Sequence, residues 1–223
     1  MQSFQQIWDR AAGRKGGDAA LEELMPAVKT PAQLRKIPDD RWLSGMSKRI
    51  FQAGFVWKVI EAKWDGFETA FDGFQPGPLS MMSYEMLDSL LKDERIIRNG
   101  PKILAVRDNA TFLVDLATEH GSAGKFFADW PVDDFIGLLD VLQKRGSRLG
   151  GFTGPAFLRF MGKDSFIIND DVSAALIRGG VVDKKPTSKA ARAATQQAFN
   201  AWRAESGRPL AHISRTLACS VGD

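Results

Sequence analysis

Apolar residues recur at intervals of three and four along almost the whole chain, so the pattern predicts helix after helix. From Arg41 to Trp64 they fall at Trp42, Met46, Ile50, Ala53, Trp57, Ile60 and Trp64, a stripe that reads as one long helix. Thr30 before Pro31 has the form of a cap and a first-turn proline. Ser83 is placed to cap YEMLDSLLKD, with Glu85 in its first turn. PKILAVRDNATFLVDLATEHG reads as a long amphipathic helix stopped by Gly121, and VDDFIGLLDVLQKR as one opened by Pro131 and ended at Gly146. NDDVSAALIRGG has Asn169 or Asp170 as its cap and Gly179 as its stop. DAALEELMPAV, SKAARAATQQAFNAWRAESG and PLAHISRTLACS complete the series, with DKKPTSKAARA as a basic, mobile connection. No segment alternates with period two over more than a few residues. The fold class expected is therefore all-α.

Composition narrows the function classes. The 223 residues can build one sizeable core or two closely joined lobes. No apolar run approaches the roughly 18 residues of a membrane span, and MQSFQQIWDRAAGRKGG has no apolar core of a secretory signal. A single cysteine, Cys219, excludes an intrachain disulfide and any site built of several thiolates, so the expected compartment is cytoplasmic. A net charge of +3 permits a polyanionic partner without requiring one.

The stretch RGSRLGGFTGPAFLRFMG, residues 145 to 162, joins two of these helices through glycines and arginines. Glycine lets backbone amides approach an anion, and a helix N-terminus adds partial positive charge. Lys144, Arg145 and Arg148 stand at that entrance. The same stretch also reads as a plain glycine-rich turn between packed helices.

Several segments together resemble the bacterial 3-methyladenine DNA glycosylase I family, within the helix-hairpin-helix DNA glycosylase superfamily. FQAGFVWKVIEAKWDGFETAFDGF is similar to the family's QAGLSW stretch and the helix after it, and LLKDERIIRNGPKILAVRDNA to its IIRxxxKIxAxxxNA stretch. GSAGKFFADW matches the segment ending in tryptophan, and FLRFMGKDSFIINDDV resembles the second hairpin helix and the V-N-D-H-V turn. The hairpin itself reads Leu149-Gly150-Gly151, where the superfamily has Gly-x-Gly. The resemblance runs from about Ser47 to Val172. It implies one all-α glycosylase-like domain over residues 1–223, with two helical lobes around a cleft and the helix-hairpin-helix at about 135–162.

The resemblance also implies roles. Gln52, Gly54 and Phe55 match QAGL, making Phe55, with Gly54, the wedge that fills the gap left by an extruded nucleotide. Trp57 matches the tryptophan lining the base pocket, with core packing as its alternative role; Trp42 and Trp8 are further candidates for lining the cleft. Lys144, Arg145, Arg148, Gly150, Gly151 and Thr153 would hold DNA phosphate. Asn169, three residues before Val172, stands at the catalytic position, where this family also has asparagine; Asp170 is a weaker candidate, as a charge near a developing sugar cation or as a helix cap. An N3-alkylated adenine already carries positive charge and leaves readily once oriented, so positioning supplies much of the effect. Two departures stand out. Asp171 and Ala175 replace a histidine and a cysteine of the family's zinc site, so no zinc, no other metal and no cofactor is expected. Arg49 occupies the position of the base-reading glutamate. Two like charges at ~4 Å in an effective dielectric of ~20 repel by about 4 kcal/mol, so Arg49 disfavours a cationic base and suits a neutral, acceptor-rich one.

The expected activity is excision of a damaged, alkylated-purine-type base from double-stranded DNA by a monomer. The alternatives are a catalytically inactive DNA-binding or lesion-sensing homologue, and an all-helical protein unconnected with DNA.

Overall fold

The computed structural model describes residues 1–222, and no β-strand occurs among them. In chain order the helices are α1 (Phe4–Lys15), α2 (Asp18–Glu22), α3 (Pro31–Arg35), α4 (Asp39–Gln52), α5 (Trp57–Ala62), α6 (Trp64–Ala70) and α7 (Pro76–Ser80). Then follow α8 (Tyr84–Lys92), α9 (Gly100–His120), α10 (Ala123–Asp129), α11 (Phe135–Arg145) and α12 (Thr153–Met161). The chain closes with α13 (Asp170–Arg178), α14 (Lys189–Ser206) and α15 (Leu210–Cys219). None is long and apolar enough to cross a membrane among the described residues.

Local chemistry explains most boundaries. Thr30 and Gln33 form a reciprocal capping box with Pro31 at the first turn of α3. The Ser83 hydroxyl accepts from the Met86 N–H at the start of α8. α9 begins at the Asn99 side chain and stops at Gly121, which is left-handed. Asn169, not Asp170, caps α13: its Oδ1 accepts from the Val172 N–H at 2.9 Å.

Three expected elements take another form. The stripe from Arg41 to Trp64 is not one helix, because α4 ends at Gln52 and α5 starts at Trp57. Gly54 between them has φ of +76°, which no helix residue adopts and glycine accepts without strain. DAALEELMPAV is helical only to Glu22. The basic connection is largely structured: Pro186 is buried, Lys185 pairs with Asp170 at 2.7 Å, and Lys189 already begins α14.

The chain divides into two compact units. One comprises residues 1–29, 131–138 and 162–223. In it α15 packs against α1, α13 and α14, around a run of rings formed by Phe135, Phe166, Phe199 and Trp202. The other comprises residues 30–130 and 139–161. Here α9 packs against α4, α7, α8 and α10, and α4 also supports α12. Its aromatic core includes Trp42, which stacks on Phe127 at 4.5 Å, and Phe51, Phe67, Phe71 and Phe74.

Candidate nucleic-acid interface and base pocket

The break between α4 and α5 builds the site. At Gln52 the last carbonyls of α4 lose their helical donors. Lys102, buried on α9, replaces them: its ammonium donates to Phe51 O at 3.1 Å and Ala53 O at 2.6 Å. The same ammonium lies 4.3 Å from the Phe55 ring centroid. Burial, and next the nearby Arg148 guanidinium, lowers the Lys102 pKa. The loop thus turns outward on a fixed base. Phe55 is 38% exposed and Trp57 52% exposed, so Trp57 is not the core residue that a continuous stripe requires.

Opposite this loop is the start of α12. Together they enclose a cavity of about 390 Å³ lined by Arg49, Gln52, Phe55, Trp57, Phe152 and Thr153, among others. The Arg49 guanidinium lies between two rings, 5.2 Å from the Trp57 centroid and 4.4 Å from that of Phe160. Its Nη1 donates to Gln52 Oε1 at 2.8 Å, and Gln52 Nε2 donates to Glu61 Oε1 at 2.8 Å. Lys48 completes the line, its ammonium 2.6 Å from Glu61 Oε2. The Arg49 Nε is buried without an acceptor. Burial lowers the Arg49 pKa, with the Glu61 charge opposing the shift.

The hairpin between α11 and α12 is short. Thr153 and Gly154 already belong to α12, so the turn spans residues 146–152. Asn109, fully buried on α9, pins it from below: its Oδ1 accepts from Ser147 N–H at 2.8 Å and its Nδ2 donates to Ser147 O at 3.0 Å. Leu149 anchors it as a buried side chain. Gly154 is required by close approach, since a Cβ there would lie 2.4 Å from Leu149 O. Gly151 has φ of +59° and opens onto free space, and Arg148 is exposed with φ of +59°.

Most of the expected site residues meet here. Arg49, Gln52, Gly54, Phe55, Trp57 and Thr153 line this same cavity, and Lys144, Arg148, Gly150 and Gly151 lie on or beside the hairpin. Trp42 does not line it: the side chain is fully buried between Phe127 and Phe157. Trp8 is likewise a buried core ring, with the Arg208 guanidinium 3.8 Å above it. Arg145 is held by Glu119 through two bonds of 2.8 and 2.7 Å, so it is committed to an ion pair rather than open to phosphate. Asn169 and Asp170 belong to the first unit, whereas every cavity residue belongs to the second. Asp170 is exposed and bound by Lys185, and this ion pair lowers its carboxyl pKa. Sequence reasoning missed Glu61, Lys102, Asn109 and Phe160. A carboxylate nine residues after Gln52 carries no signal while 41–64 reads as one helix, because that spacing puts it on another face.

This arrangement is that of an all-helical, helix-hairpin-helix glycosylase-like fold. Residues 38–135 match the model of the methyladenine glycosylase family, and the chain resembles that family. Among solved structures, a variant of 3-methyladenine DNA glycosylase I from Staphylococcus aureus is similar at 21% identity, covering 56% of this chain and 77% of that one, with a TM-score of 0.51. A second, of 3-methyladenine DNA glycosylase I (TAG) in complex with 3-methyladenine, matches at 21% identity over 56% of this chain and 80% of that one, with a TM-score of 0.51. A third, of 3-methyladenine DNA glycosylase I (TAG), covers 62% of this chain and 82% of that one at 21% identity and a TM-score of 0.50. Among the described residues no three histidine, cysteine, aspartate or glutamate side chains gather as a metal site.

Proposed function

We propose that the protein is a DNA glycosylase that binds duplex DNA as a monomer, extrudes a damaged base and hydrolyses its N-glycosidic bond without metal. The observation that carries this reading is the cavity holding Trp57, Gln52 and Arg49 beside an outward Phe55 and the Gly150-Gly151 hairpin. A half-exposed indole in a concave site offers a face on which an extruded base can stack. Phe55 then fills the space left in the duplex, and Arg148, Lys144 and the hairpin amides hold phosphate. With Asp170 tied to Lys185 and Asn169 engaged as a cap, the chemistry rests on orienting the extruded base. The base most compatible with Arg49 is neutral rather than cationic.

One observation favours a second reading, a DNA-binding homologue without catalysis. Arg49 itself covers the face of Trp57, where a base would stack. Single-turnover assays on duplexes carrying alkylated, deaminated or oxidised bases separate the two. Excision of at least one base, abolished by Trp57→Ala with DNA affinity nearly kept, supports the enzyme. Affinity for duplex without any excision supports the binding protein.

A further inference from the structure

The direction of the Gln52 side-chain amide follows from its neighbours. Arginine can only donate and an ionised glutamate can only accept, so Gln52 must turn its oxygen to Arg49 and its nitrogen to Glu61. Gln52 is 1% exposed and cannot turn over without losing both bonds. Glu61 is in turn tethered by Lys48. Arg49 is clamped between the Trp57 and Phe160 rings, and its buried Nε–H finds no acceptor in the chain. The polar wall of the cavity is therefore donor-rich at Arg49, and its orientation is set by a carboxylate that lies one helix away.

We propose that Arg49 and Gln52, oriented by Glu61, select a 6-oxopurine edge, in which a carbonyl oxygen lies beside a ring nitrogen, over a 6-aminopurine edge. This rests on the glycosylase reading and names its substrate class. A guanidinium fork matches the O6 and N7 acceptors of such a purine, whereas an amino group at the same place meets another donor. The chemistry agrees. A neutral base departs with the electron pair of its glycosidic bond while water adds to the sugar carbon, and the proton that water gives up ends on a ring nitrogen of the departed base. The negative charge spreads to the carbonyl oxygen and ring nitrogens, where Arg49 donates. Glu61 is a positioning residue in this scheme, acting through Gln52.

Binding of free bases tests this apart from catalysis. Hypoxanthine and adenine differ at the 6-position in oxygen against amino group, and both are neutral. Ligand-observed NMR with the full chain should give hypoxanthine an affinity at least about fivefold above adenine, the size of one discriminating contact. Arg49→Glu should reverse the order, and Arg49→Met should bring the ratio close to one. Glu61→Leu should reduce the ratio while keeping the helical circular dichroism, and Glu61→Gln, which keeps an acceptor oxygen, should restore most of it. A ratio of one in the wild type, a preference for adenine, or no binding of either base overturns the proposal. An intact ratio in Glu61→Leu overturns the role of Glu61. Excision of 3-methyladenine from duplex DNA without the hypoxanthine preference would leave the glycosylase reading standing and remove this one. Absence of any excision with the preference intact would do the reverse.

Discussion

Single residues in the second unit carry charges far from where sequence reasoning looks for function. Glu68 on α6 is an example. Its carboxylate accepts from Arg41 through both Nη atoms at 2.9 Å, from the Ser44 hydroxyl at 2.6 Å and from Trp64 Nε1 at 3.1 Å. Burial pushes its pKa up, but the bonds from Arg41, Ser44 and Trp64 outweigh that and hold it below the usual 4.5. A folded-state pKa below the unfolded value means the stability gain is complete above the unfolded value and disappears as pH falls through the folded one. Glu68→Gln should therefore cost about 2 kcal/mol at neutral pH, the order of a lost charge-assisted bond. The melting-temperature gap between wild type and variant should close as the pH falls below the usual carboxylate range. A gap that is the same at every pH would show that the carboxylate's charge contributes nothing to the network.

At the scale of elements, the hairpin joins fold and proposed function. Gly151→Asp places an anion where a phosphate is proposed to sit. The backbone there is left-handed, and aspartate tolerates that conformation better than most side chains. The variant should keep its helical circular dichroism and lose duplex affinity by a similar factor on every sequence, because phosphate contacts carry no base information. Unchanged affinity in fluorescence anisotropy would remove the hairpin from the interface. The elements around it show which features a sequence displays. Thr30, Ser83 and Gly121 bound their helices where side-chain chemistry says they should, because caps act over three or four residues. The break at Ala53–Val56 was hidden. Trp57 and Ile60 continue the apolar period of α4, yet only Ile60 is buried. An aromatic residue held out for a ligand looks, in a periodicity, the same as one packed inside. Arg49, Gln52 and Trp57 were nonetheless legible as neighbours through family likeness, whereas Glu61, Asn109 and Lys102 became visible only once α5 and α9 were folded against α4.

For the molecule as a whole, the remaining question is what ties its termini together. The first unit joins residues near both ends of the chain. Glu205 on α14 accepts from the Phe4 N–H at 2.9 Å and so caps α1, and Trp202 Nε1 donates to Gln2 O at 3.0 Å. Arg178 donates to Ser220 O at 2.9 Å, and Arg14 to Gly222 O. Around these bonds lie α15 and the stacked Phe166 and Phe199 rings, 4.1 Å apart. Ala175 is buried, Asp171 is exposed, and Cys219 is a buried thiol. His212 is engaged with Pro26 O at 3.1 Å. With Asp171 and Ala175 in place of two ligands of the family's zinc site, the protein should fold without a metal. Protein purified without chelator should contain far less than one equivalent of zinc, and excess EDTA should leave its melting temperature unchanged. A structural zinc contributes on the order of 10 kcal/mol, so its removal could not pass unnoticed in that experiment. A stoichiometric zinc, or unfolding on chelation, would mean that Asp171 and Ala175 do not stand where the family resemblance puts them.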